Sequence, residues 1–175
     1  LPDVTFHEGR VDATVHRTNP DLPNPHGGIE QVVDFFDAAF DFDVREAVAI
    51  MGAHTLGRAR PQNSGFRNPW VRDSHLLNNG FYEDMVERTW RQHTFTNNDG
   101  TQSTQWVHGP AQDPRGLMLN PDMALLKDIG TPSATGAVTC SYDACPAQSE
   151  TAAIVNEFAA SNSAWLVSFD PSLLL

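Results

Sequence analysis

The stretch DFDVREAVAIMGAHTLGRAR, residues 41–60, decides how the rest of the chain is read. Asp43 and Glu46 stand at the D-x-x-E spacing of a capping box, in which each side chain satisfies the other residue's amide. Val44, Ala47, Val48 and Met51 follow at spacings of three and four, the buried stripe of a short helix. Gly52 is expected to loosen that helix, and His54 stands at its end. A histidine delivered by an apolar helix is either a hydrogen-bonded core residue or a ligand, and this stretch alone leaves both open.

On the N-terminal side, Ile29, Val32, Val33, Phe36 and Phe40 form one apolar helix face. Residues 1–27 hold four prolines and read as an extended loop. On the C-terminal side, a helix is expected from Asn79 or Gly80 to Trp90, with Phe81, Met85, Val86 and Trp90 on one side. The segment 93–116 carries Asn-Asp-Gly, Gly-Pro and Asp-Pro and is expected to be loops or a small hairpin. Asn120-Pro121 reads as a helix start with Asn120 as the cap, and Gly130 closes that helix. After a loop at 131–148, a longer helix is expected from Ser149, with Ile154, Phe158, Trp165 and Phe169 as its stripe. No internal repeat and no alternating strand pattern of any length occurs. The fold class expected is mainly α with long connecting loops, and the length fits one domain, 1–175.

The formal net charge of −11 argues against nucleic acid and anionic membranes as partners. It suits a basic protein partner, or simple solubility. No apolar run approaches the roughly 20 residues of a membrane-spanning helix. The first residues, LPDVTFHEGR, show no basic and apolar targeting pattern. Their opening on Leu1 sets the expectation of a processed product or second chain. Cys140 and Cys145 form a C-x4-C pair without a second ligand pair nearby, a weak zinc signal. A local disulfide, which favours an extracellular or organellar lumen, and two free thiols both fit. The chain has seven histidines; six sit in polar loop-like sequence, and none forms H-x-x-x-H, so a zinc enzyme is not expected.

Read with its neighbours, MGAHTLGRARPQNSGFRNPW, 51–70, resembles the proximal-histidine segment of the plant-type haem peroxidase superfamily. The likeness is to class I, and within it to the cytochrome c peroxidase branch. It rests on Gly52-Ala53-His54, on Asn63-Ser64-Gly65, and on Pro69-Trp70 sixteen residues after the histidine. It continues through NNGFYEDMVERTW to Trp90, resumes at Gln105-Trp106 and at LMLNPDMALLKD (117–128), and ends in NEFAASNSAWLVSF. GRVD (9–12) and DLP (21–23) have counterparts as well. Nearly the whole chain is covered, with insertions near 93–104 and 131–148.

The resemblance implies the proximal, C-terminal half of the helical peroxidase fold and a haem b cofactor. His54 would be the axial ligand of the iron, and Asp122 would accept its Nδ1–H, giving the imidazole anionic character. Trp70 would lie against His54 and share Asp122; in the cytochrome c branch the corresponding tryptophan holds a radical. Arg58 or Arg60 would meet a haem propionate. Hydrogen peroxide would be the oxidant, with a basic protein or a small phenol as donor. A cation site would fall on Thr55, Val71, Asp73, Leu76 and Asn78. Val71 offers no side-chain oxygen and Asn78 replaces an expected aspartate, so Thr55 and Asp73 are left for a weak site. Asn63 stands where ascorbate-using relatives carry arginine, which weakens ascorbate as donor.

The distal R-x-x-[WF]-H motif, whose histidine and arginine cleave the peroxide bond, occurs nowhere in these 175 residues. The expectation is a haem-binding half-site completed by a companion polypeptide. The alternatives are a non-catalytic peroxidase-derived structural, pigment-binding or assembly protein, and a helical binding domain without haem.

Overall fold

A computed structural model describes residues 22–172 together with residues 9, 11, 14 and 15. His7, His16 and parts of the GRVD and DLP stretches therefore lie outside the described residues. Helix α1 spans Ile29–Phe40 and α2 spans Val44–Met51. The capping box at the start of α2 forms as expected: Glu46 N donates to Asp43 Oδ1 at 2.8 Å, and Asp43 N to Glu46 Oε2 at 2.9 Å. The chain then tightens into a 3-10 turn, Gly52–Thr55, that carries His54.

Gly52 does not loosen the helix; its backbone stays right-handed at φ −61°. Its task is space. A Cβ there would stand 2.5 Å from Trp165 Nε1 and 2.6 Å from Tyr82 Oη. Both groups reach across to the end of α2: Tyr82 Oη donates to Val48 O at 2.6 Å, and Trp165 Nε1 to Ala49 O at 3.0 Å. They come from α4 (Gly80–Glu87) and α7 (Asn162–Ser172). The turn bearing His54 is thus bolted to two other helices through side chains that are completely buried. Val48, Phe81, Met85, Val155 and Phe158 fill the same core at 0% exposure.

The long C-terminal helix expected from Ser149 is two helices, α6 (Ala152–Ala160) and α7. The break is at Ser161, which is extended and whose hydroxyl accepts from Ala164 N at 3.2 Å. Asn79 makes the break stable: its amide donates to Phe158 O at 2.9 Å and Ala159 O at 3.0 Å, carbonyls in the last turn of α6. Helix α3 is a single turn, Pro61–Ser64. Helix α4 ends at Glu87, short of Trp90, whose indole donates to Asp84 O.

The mainly α expectation needs correction in the middle of the chain. Residues expected as loops or a hairpin form a three-stranded antiparallel sheet in the order β1-β2-β3: Arg91–Thr96, Gln102–His108 and Arg115–Met118. The strand pattern was hidden because β2 buries five consecutive residues, Ser103 through Val107, three of them polar, so apolar and polar side chains do not alternate along it. The β1–β2 turn does fall on Asn97–Thr101, as the Asn-Asp-Gly signal implied. Helix α5, Asn120–Ala124, is capped by Leu119 rather than Asn120 and ends well before Gly130. Asn120 instead accepts from Trp106 Nε1 at 2.9 Å and donates to His26 O and Gly136 O, tying α5 to the sheet. Cys140 and Cys145 form a disulfide. None of the described helices is long and apolar enough to cross a membrane.

Candidate haem-ligand site

Three side chains from distant parts of the sequence meet at one buried carboxylate. Asp122, at 0% exposure, stands in the first turn of α5. Its Oδ1 lies 2.8 Å from His54 Nδ1, and its Oδ2 accepts from Trp70 Nε1 at 2.8 Å and from Leu119 N at 2.7 Å. The backbone contact fixes the carboxylate; the two ring contacts use one oxygen each. A buried charge is tolerated where several donors answer it in this way. The rings themselves stack, with centroids 4.3 Å apart and planes 17° apart, while Phe81 meets His54 edge-on at 5.9 Å.

This geometry settles how the imidazole can act. With the carboxylate at Nδ1, that nitrogen carries the proton and Nε2 keeps its lone pair. The His54 side chain is 33% exposed. Its Nε2 is accessible and takes no hydrogen bond among the described residues. Ala53 and Leu56, the latter 41% exposed, flank it. A nitrogen ligand aimed outward beside exposed apolar surface fits a flat apolar metal complex bound against Nε2.

The sheet sets Trp70. Fully buried Gln105 donates to Arg67 O at 2.9 Å and accepts from Arg67 N at 3.0 Å, so the loop leading to Trp70 is clamped to β2. Asn68 then turns through a positive φ of 83° and donates to Pro114 O and Gly116 O. Trp106, on the same strand as Gln105, holds Asn120 in α5. One strand therefore positions both the tryptophan and the helix that carries Asp122.

Not every expected site residue converges. Thr55 is fully buried, and its hydroxyl lies 3.1 Å from Asn78 Oδ1 and 3.4 Å from Leu76 O. Three oxygens of the expected cation set thus meet. Asp73 is exposed, and its carboxylate accepts from His75 N at 3.4 Å instead. The described residues contain no group of three His, Cys, Asp or Glu side chains suited to a metal. Arg58 and Arg60 are exposed and make no ion pair among the described residues. Sequence reasoning missed Gly52, Tyr82 and Trp165 as the positioning residues of His54. The glycine directly before the site was the available signal, but the side chains that crowd it lie far along the chain.

His54 and Trp70 are thus coupled through the Asp122 carboxylate in a fold of helices with one small sheet. The chain belongs to the peroxidase family: the family model described as Peroxidase matches residues 1–161. It is 35% identical over 136 residues to the mitochondrial cytochrome c peroxidase of Emericella nidulans, covering 74% of this chain and 34% of that protein. Against the mitochondrial cytochrome c peroxidase of Yarrowia lipolytica the identity is 33% over 129 residues, 73% of this chain and 36% of that protein. L-ascorbate peroxidase 3 of Arabidopsis thaliana is 33% identical over 86 residues, 49% of this chain and 30% of that protein. The chain thus spans little more than a third of the cytochrome c peroxidases it matches.

Proposed function

We propose that residues 1–175 act as one proximal domain of a haem b peroxidase, with His54 as the axial ligand. The observation that carries this reading is the division of Asp122 between His54 Nδ1 and Trp70 Nε1, each at 2.8 Å. Haem, when bound, would supply the iron at which hydrogen peroxide is reduced to two waters, with two electrons from the donor and two protons taken up from solvent or, with a phenol, from the donor. His54 presents Nε2 to the metal. Asp122 holds the Nδ1 proton and keeps the ring electron-rich. Trp70, packed on the imidazole and anchored by its own N–H, relays electrons from the donor. Arg58 or Arg60 pairs with a propionate, and Thr55 and Asp73 retain at most a weakly bound cation.

The distal acid–base histidine and arginine come from outside these 175 residues. The donor is a basic protein, for which the charge of −11 is suited, with a small phenol as runner-up. The disulfide favours an oxidising compartment; the cytochrome c peroxidases matched are mitochondrial by name. The altered cation set, with Val71 lacking a side-chain oxygen and Asn78 in place of aspartate, favours a second reading, a peroxidase-derived structural, pigment-binding or assembly protein without turnover.

Haem titration of the purified chain, with intact masses of every co-purifying polypeptide, tests the proposal. A saturable Soret band, lost in His54→Ala, is expected. Haem bound equally well by His54→Ala would sink the ligand assignment. Peroxide consumption with donor oxidation by the natural material excludes the non-catalytic reading. Full activity of residues 1–175 alone would remove the need for a distal half from outside them.

A further inference from the structure

A cleft of about 600 Å³ opens on the far side of the Trp70 loop, between residues 68–72, the end of α4 and the β2–β3 turn. In a chain of net charge −11 its charged lining is basic. Arg72, Arg88 and Arg115 line it against a single carboxylate, Asp113. His108 stands in the same wall, edge-on to Trp90 at 5.1 Å.

Some of these charges are answered within the protein. Arg115 pairs with Asp113, and Arg88 with Asp84 at 2.8 Å. Arg72 is exposed and makes no ion pair among the described residues. Arg88 Nε is buried with no acceptor among the described residues, so its desolvation is not offset there. The wall is also shaped around the histidine. Gly116 has φ +69°, and a Cβ there would lie 2.6 Å from the His108 ring. Burial and the positive field of Arg88, Arg115 and Arg91, opposed by Asp84, hold His108 below the ordinary histidine range.

We propose that this cleft is a binding site for a small oxyanion, a carboxylate or phosphate group carried by a low-molecular-weight ligand. Planar guanidinium forks match such groups in shape as well as charge. A bound oxyanion offsets the excess of cationic side chains and touches the loop on either side of Trp70.

NMR titration of the His108 ring in the purified chain reads it out, with inorganic phosphate and 4-hydroxybenzoate as probes at constant ionic strength. Each probe adds negative charge to a wall whose fixed neighbours are Asp84, Asp113, Arg88, Arg91 and Arg115, so binding raises the His108 pKa. A saturable rise is expected with at least one probe, about tenfold weaker in Arg72→Gln, an exposed position that leaves both internal ion pairs intact. The probe that saturates at the lower concentration shows whether phosphate or carboxylate is preferred. Three results would each overturn the site: no saturable shift with either probe, the same shift with sodium chloride, or affinity unchanged in both Arg72→Gln and Arg115→Gln.

Discussion

Asp122 is the residue on which the site depends. It answers three donors from a fully buried position, so Asp122→Ala strands an imidazole N–H, an indole N–H and a backbone amide together. Breaking a buried charged network of this kind costs about 3–5 kcal/mol, which urea denaturation of the variant will show. Asp122→Asn keeps the volume and removes the charge. Haem affinity is expected to fall roughly 10- to 100-fold, the usual effect of losing the partner behind a metal-bound histidine, as read by Soret titration. Trp70→Phe keeps the stacked ring but loses the indole N–H. In the completed enzyme it is expected to lower turnover of a protein donor by on the order of 100-fold, about 2.7 kcal/mol of barrier. Oxidation of a small phenol is expected to fall far less. Equal losses with both donors would argue against an electron relay through this side chain.

At the scale of elements, the site stays in register because the end of α2 is held by two other helices. Gly52 lets Tyr82 from α4 and Trp165 from α7 approach within hydrogen-bonding distance of α2 carbonyls. A methyl group in that gap must push two fully buried aromatic side chains aside. Gly52→Ala is therefore expected to destabilise the fold by about 1–3 kcal/mol, the usual cost of overpacking a tight core. Thermal unfolding of the variant measures it, and a crystal structure would show His54 displaced relative to Asp122. Gln105 does the equivalent work for the Trp70 loop from inside β2. Its substitution by Leu leaves the amide and carbonyl of Arg67 without their partners and is expected to loosen Trp70 before it unfolds the sheet, measurable as faster amide exchange at residues 67–70.

The whole molecule shows pH limits at both ends. His108 is held below the ordinary value of 6.5, by burial first and by Arg88 next. The unfolded chain therefore takes its proton at a higher pH than the folded one does. The associated stability is intact above about pH 6.5 and is lost as pH falls below it, through the folded value. At the alkaline end, burial raises the Tyr82 phenol well above 10.0. The unfolded chain ionises first as pH rises past 10, and stability falls there. Urea midpoints measured from pH 5 to 11 are expected to decline at both ends, with the acid decline reduced in His108→Gln. The Cys140–Cys145 disulfide closes a short loop. By loop entropy its reduction is expected to cost about 2 kcal/mol, read as a lower urea midpoint in reducing agent.

From the order of its residues this chain already declared its family, the helix before His54 and the three side chains of the site. The capping box, the apolar stripe of α2 and the spacings from His54 to Trp70 and on to Asp122 are local patterns, and local patterns are written in sequence. The sheet, the break at Ser161 and the role of Gly52 were not legible. Strand β2 is buried on both faces, so it shows no alternation. The α6–α7 break is stabilised by Asn79, about 80 residues earlier in the chain. Gly52 is needed only because Tyr82 and Trp165 arrive from elsewhere. That Asp122 would serve both rings was already implied by the family resemblance; tertiary structure alone decided that scattered arginines would share one cleft with His108. Those are distances between residues far apart in the chain, set by how helices and strands pack, and no local pattern encodes them.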